Sequence, residues 1–138
     1  MSGTPKRAPA ERKQRHRILV IDADADVKTM LAETLGEEHY ELIFRQSASN
    51  LVEVFAETPP FDAALVEIYR KPDSFLELLP SIRERCPKTE IVLISELEGM
   101  HLWTEAIQLG AYDYVPKSLD REELRWVVLN AAGRNHRI

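Results

Sequence analysis

Ile18-Leu19-Val20-Ile21 is an unbroken aliphatic run that ends in acid at Asp22. Such a run suits a strand buried on both faces of a parallel sheet. The period then changes. From Asp26 onward, Val27, Met30, Leu31 and Leu35 fall on one helical face, and Gly36 supplies a stop. These two patterns alternate along the rest of the chain. Tyr40–Arg45 reads as a second strand. Ser49 or Asn50 is placed to cap a helix through Ala56, which Pro59-Pro60 closes. Phe61–Val66 reads as a third strand ending at Glu67, and Phe75, Leu76, Leu78, Leu79 and Ile82 mark a helix that stops before Pro87. Glu90–Ser95 is a fourth strand. Met100, Trp103, Thr104 and Ile107 follow at helical spacing, with Gly110 as terminator. Tyr112–Val115 is a short fifth strand. Asp120 with Glu123 forms a D-x-x-E variant of the capping box, opening a helix with Leu124, Val127, Val128 and Ala131 on one face.

Five strands alternating with five helices over short connections imply an α/β fold. The expected form is a doubly wound, five-stranded parallel sheet with helices on both faces. In such sheets ligands and chemistry gather at the carboxyl ends of the strands, near the point where the strand order reverses. The residues just after each aliphatic run are therefore the informative ones.

Composition narrows the class without changing this picture. The chain has 138 residues, 44% of them hydrophobic and 30% charged, which suits one globular domain. No apolar stretch is long enough to span a bilayer, and no secretory h-region opens the chain. A cytoplasmic protein is expected, with no membrane partner. The lone cysteine, Cys86, cannot close an internal disulfide. The net charge of −5 is uneven. Residues 1–17 hold six basic residues against one acidic, a net of +5, which leaves −10 for residues 18–138. The segment 1–17 lacks the apolar residues to bury a face, so it reads as a disordered basic tail ahead of a single domain. Its sharper reading is an arm for nucleic acid or an acidic partner.

The strand ends carry a set of polar residues that belong together chemically. Asp22, Asp24 and Asp26 follow the first run, Glu67 the third, Ser95 the fourth and Lys117 the fifth. Carboxylates suit a divalent cation such as Mg²⁺, and a lysine with a hydroxyl suits phosphate oxygens. Here a resemblance becomes specific. Arg17 to Arg134 resembles the receiver domain of two-component response regulators, the flavodoxin-like fold of CheY. RILVIDADADV resembles the family's first strand and acidic cluster, with Asp22 at the first acidic position. FDAALVEI resembles the third strand, with Glu67 at the phosphoacceptor position, 45 residues after Asp22. Leu109-Gly110-Ala111-Tyr112-Asp113-Tyr114-Val115-Pro116-Lys117 resembles the family's A-G-A-x-D-Y-hydrophobic-x-K signature. The resemblance implies that Ser95, Tyr114 and Lys117 are the switch residues.

Several positions depart from that family pattern. The phosphoacceptor aspartate is Glu67, and the second metal-ligating carboxylate is Ala23. Glu96 replaces a small residue, Ser118 a proline, and Lys71-Pro72-Asp73-Ser74-Phe75 the glycine-containing loop after the acceptor. Phosphoryl transfer depends on positioning and on metal neutralisation of developing charge. Glutamate puts its carboxylate about 1.5 Å further out, the length of one C–C bond, and a shift near 1 Å can cost roughly 100-fold in rate. The expectation is a degenerate receiver, or pseudo-receiver. It would serve signal transduction as a phosphorylation-independent protein-interaction module rather than an enzyme. Mg²⁺ is expected to bind weakly or not at all, with Asp22 and Glu67 as the remaining weak candidates and Asp22 with Asp24 as a residual acidic pocket. Glu67 is expected either to pair with Lys117 or to mimic a phosphorylated acceptor. The resemblance implies a protein partner, including a second copy, on the face of the fourth helix, fifth strand and fifth helix, where Trp103, Tyr114 and Trp126 fall. Dependence on a histidine kinase is doubtful on this reading. Two alternatives stand beside it. One is a conventional Mg²⁺-dependent phosphorelay switch controlling transcription. The other is nucleic-acid or acidic-partner binding through the tail. Any output is expected to come through a partner or through sequence outside this chain.

Overall fold

The computed structural model describes residues 15–36, 38–46, 51–57, 59–68, 72–96, 100–118 and 120–133. The elements run β1 (His16–Ile21), α1 (Ala25–Leu35), β2 (Tyr40–Arg45), α2 (Leu51–Phe55), β3 (Ala63–Ile68), α3 (Pro72–Arg85), β4 (Glu90–Ser95), α4 (Met100–Gln108), β5 (Asp113–Pro116) and α5 (Arg121–Gly133). All strands are parallel, in the order β2-β1-β3-β4-β5. The order reverses at β1, so the carboxyl ends of β1 and β3 flank the switch point.

The alternation of side chains along each strand divides the core into two layers. Leu19, Ile21, Ala64, Val66, Ile91 and Leu93 pack on one face, beneath α2, α3 and α4. Ile18, Val20, Ala63, Leu65, Val92 and Ile94 pack on the other, beneath α1 and α5. Because both faces are covered, β1, β3 and β4 are apolar at nearly every position, which is why they read as runs rather than alternations.

Three boundaries differ from the sequence expectation. The first strand begins at His16, within the segment read as tail. His16 N–H donates to the His39 carbonyl at 2.9 Å, and Arg17 N–H donates to Asp62 at 2.8 Å. The Arg17 guanidinium lies 4.9 Å from the Phe61 ring centroid. Strand pairing and a cation–π contact therefore recruit two residues whose polarity alone argued for solvent. The third strand is shifted toward its end. Phe61 precedes it, and Glu67 and Ile68 lie within it, paired with Ile94 and Ser95. The third helix starts at Pro72, ahead of its first apolar marker Phe75, and carries Pro80 within it, while its end at Arg85 falls before Pro87 as expected. Residues 1–14 of the basic tail, the expected caps Ser49 and Asn50, and residues 69–71 after the acceptor position lie outside the described residues. No described helix is long and apolar enough to cross a membrane.

Candidate functional site

β3 sets Glu67 at its penultimate position, where the side chain is only 3% exposed. A carboxylate buried to this degree needs ionic or hydrogen-bonding partners. It has both. Glu67 Oε1 accepts from the Asp24 backbone N–H at 2.9 Å, and Oε2 lies 2.8 Å from Lys117 Nζ. Lys117 sits just past β5, with its own N–H donating to the Ser95 carbonyl at 2.8 Å. The lysine is thereby anchored to the end of β4 and reaches across to β3.

Asp24 is the third member. It is the N-cap of α1, with Oδ1 accepting from Val27 N–H at 2.9 Å. Its Oδ2 accepts from Lys117 Nζ in a hydrogen-bonded ion pair. Asp24 thus uses its N–H on Glu67, one oxygen on its helix and the other on the lysine. The Lys117 bond, followed by the Val27 N–H, holds the Asp24 carboxyl below its ordinary value. The bonds to Asp24 and then Glu67 push the Lys117 ammonium well above its ordinary value. Glu96 lies 3.8 Å from Lys117 but is 77% exposed, so its contribution is small.

The two residues expected to form a residual acidic pocket part company. Asp24 faces Lys117. Asp22 lines a different cleft, with Ala23, Lys28, Phe44, Arg45 and Gln46. Its backbone has φ +61°, unusual for a residue other than glycine. Among the described residues, no three His, Cys, Asp or Glu side chains gather at metal-binding spacing. A divalent cation does not fit the Glu67 site. The two carboxylates that face each other already share the Lys117 ammonium, which repels a second cation.

The switch and interface positions also separate. Ser95 is fully buried and lines a shallow cleft with Glu96, Pro116, Lys117 and Ser118. Tyr114 is 7% exposed and packs in the layer beneath α3 and α4, so its ring belongs to the core rather than to a partner face. Trp103 and Trp126 are 43% and 56% exposed. The Trp103 indole N–H donates to Asp113 at 3.3 Å, which holds the ring in place on the surface.

Sequence reasoning grouped Asp24 with Asp22 and did not assign it to the pairing with Lys117. An aspartate directly before the helical period of α1 is a capping signal, and the cap fixes the backbone that aims Asp24 at Lys117.

A parallel sheet of order 2-1-3-4-5 with acids and a lysine at its carboxyl edge defines a doubly wound α/β domain built around a charged rim. The chain belongs to the response regulator receiver domain family, whose profile matches residues 18–129. It is 27% identical over 117 residues to the response regulator protein PilR of Pseudomonas aeruginosa, covering 85% of this chain and 26% of that protein. It is 29% identical over 118 residues to the DNA-binding transcriptional regulator NtrC of Azospirillum brasilense, covering 86% of this chain and 24% of that protein. The chain therefore spans about a quarter of the length of these curated relatives. A response regulator from Thermotoga maritima superposes with a TM-score of 0.75 at 19% identity, covering 86% of this chain and 98% of that one. The pilus assembly protein CpaE from Caulobacter crescentus superposes at 0.68, also at 19% identity, over 83% and 97%. Both share the fold.

Proposed function

We propose that this receiver domain is a pseudo-receiver, a signalling module that engages protein partners without being phosphorylated. The observation that carries this reading is the closed charge cluster at the acceptor position. The Glu67 carboxylate is buried, with one oxygen on Lys117 and the other on the Asp24 N–H. A phosphoryl group arriving there must first separate Glu67 from Lys117. Removing one partner from a buried ion pair costs about 3–5 kcal/mol, roughly two to four powers of ten before any chemistry begins. The carboxylate is also set one methylene beyond the aspartate's reach, and Ala23 offers no metal ligand in compensation.

The same cluster supplies a structural role. It ties the start of α1, the end of β3 and the exit of β5 together with charges the chain carries permanently. In this reading the domain rests in one arrangement set by its sequence. Partner choice falls to the exposed rings of Trp103 on α4 and Trp126 on α5, since exposed tryptophans are favoured interface anchors. Control of transcription in a longer or multi-protein assembly is the context offered by the NtrC relative, a DNA-binding transcriptional regulator.

The test is incubation of the full chain with Mg²⁺ and acetyl phosphate, read by intact mass and by phosphorus NMR at neutral pH. The reading predicts unmodified protein by both measures. A covalent adduct of one phosphoryl group that Glu67→Gln abolishes would overturn it.

A further inference from the structure

A groove of about 540 Å³ runs between α3 and α4, lined by Leu76, Glu77, Pro80, Glu105 and Leu109. Leu76, Pro80 and Leu109 give it an apolar floor. Glu77 on α3 and Glu105 on α4 are exposed, so each helix contributes one carboxylate to the rim. We propose that this groove is a docking site for a basic, proline-containing segment, and that its occupant is the chain's own residues 5–13. Ala8-Pro9-Ala10 would lie on the floor, and the pairs Lys6-Arg7 and Arg12-Lys13 would reach the carboxylates.

The rim is anionic and uncommitted. Among the described residues, neither Glu77 nor Glu105 takes part in an ion pair. α4 carries no lysine or arginine. Arg83, one turn past Pro80 on α3, spends its guanidinium on the Pro87 and Thr89 carbonyls. Glu84 falls two turns after Glu77 on the same face of α3 and is exposed, so it lengthens the acidic rim. Pro80 adds an acceptor. Proline has no N–H, so the Leu76 carbonyl one turn earlier lacks the helical donor that position 80 would otherwise supply. A lysine or arginine lying in the groove can supply it.

Charge, shape and reach select the occupant. Residues 1–17 hold a net +5 against −10 for the rest of the chain, and four of those cations form two pairs flanking the segment Ala8-Pro9-Ala10-Glu11. Small side chains let the backbone approach a shallow floor, and the fixed φ of proline lowers the entropy lost on docking. α3 and α4 both return from the carboxyl to the amino edge of the parallel sheet, so Leu109 lies toward the edge where β1 begins at His16. Fourteen residues precede Arg15 and can span about 45 Å, whereas a domain of this size has a radius of gyration of about 14 Å. Tethering holds the segment at a millimolar effective concentration. That suits exposed ion pairs, each too weak to retain a free peptide. The docking is independent of the Glu67 cluster, so it stands whether or not the acceptor site takes a phosphoryl group.

Paramagnetic broadening in the full chain tests it. A nitroxide is attached at Thr4→Cys in a Cys86→Ser background, and backbone amide signals are read in low salt. Leu76, Glu77, Glu105 and Leu109 should broaden at least about twofold more than Thr29 and Ala32, exposed positions on α1 across the sheet. Salt near 0.5 M should erase the difference, as screening demands. Glu77→Lys with Glu105→Lys should remove it at low salt. Adding Lys6→Glu, Arg7→Glu, Arg12→Glu and Lys13→Glu to that variant should restore it. If Cys86→Ser loses its fold by circular dichroism, the unlabelled chain decides: the tail reversal alone should shift the amides of the same four groove residues and not those of Thr29 and Ala32. Equal broadening on both faces would overturn the proposal. So would an excess that survives Glu77→Lys with Glu105→Lys. Broadening of an isotope-labelled chain by a spin-labelled second copy would also overturn it, because the segment would then occupy another molecule's groove.

Discussion

Lys117 neutralises a buried carboxylate and a capping carboxylate at once, so its removal should hurt more than the loss of a surface charge. Lys117→Met leaves Glu67 buried without a cation and facing Asp24, and should destabilise the domain by about 3 kcal/mol in urea unfolding. Adding Glu67→Leu should recover most of that loss, because an apolar pair of similar volume replaces an ion pair at little net cost. A double variant no more stable than Lys117→Met would show that the cluster is not a coupled unit. The pH response has a definite sign. Asp24 titrates below its ordinary 3.8 in the fold, so its contribution is present above that value and lost as pH falls through the folded value. Lys117 is raised above its ordinary 10.5, so its contribution is present below that value and lost only as pH climbs through the raised one. The stability gap between wild type and Asp24→Asn should therefore narrow on acidification from neutrality toward pH 3 and stay constant up to about pH 10. A gap that widens in acid would contradict the pairing. At this scale the sequence identified every member of the cluster but not its geometry. Glu67 and Lys117 follow from their place at strand ends. The capping position marks Asp24, but the backbone turn at Asp22 with φ +61° that carries Asp22 away from the lysine has no residue pattern of its own.

Elements transmit that geometry. α1 starts at Ala25 because Asp24 caps it, and α5 starts at Arg121 because Asp120 accepts from Glu123 N–H at 2.8 Å. The turn between α4 and β5 depends on Gly110, whose φ is +116°. A β-carbon there would lie 2.7 Å from Arg83 Cγ. The arginine cannot yield freely, since its guanidinium donates to the Thr89 and Pro87 carbonyls beyond α3. Gly110→Ala should therefore cost roughly 1–3 kcal/mol, from left-handed backbone strain and the displaced arginine. A thermal midpoint unchanged by Gly110→Ala would show that the turn relaxes. Periodicity located all ten elements within a few residues of their observed bounds, and Gly110 was legible as a terminator. The start of β1 was not. His16 and Arg17 are polar in sequence, yet pairing with β2 and the Phe61 contact draw them into the sheet. The end of β3 was obscured for a related reason. Glu67 breaks the apolar run, and only its tertiary partners allow a strand to carry a buried carboxylate.

At the scale of the molecule, the sheet gives the chain two separate rims at its carboxyl edge. The Lys117 cluster lies toward β3 and β5, and the Lys28 cleft lies toward β2. The doubly wound class was readable because both faces of the sheet are covered and its strands are continuous apolar runs. The division of Asp22 from Asp24 between the two rims was not, because it arises only when the strands are laid side by side. Trp126 lies on the outer side of α5, away from the buried Leu124, Val128 and Ala131. Trp126→Ala should leave the unfolding midpoint within about 0.5 kcal/mol of wild type. A loss above about 2 kcal/mol would mean that the ring packs in solution and is not available to a partner. Whether the acceptor site is closed separates a pseudo-receiver from a phosphorylated switch most directly. Titration of the isotopically labelled chain with beryllofluoride in the presence of Mg²⁺, followed by backbone amide NMR, reads this without needing a covalent product. The closed cluster predicts no saturable shifts at Asp24, Glu67, Ser95 or Lys117. Saturable, Mg²⁺-dependent shifts at those residues would contradict it.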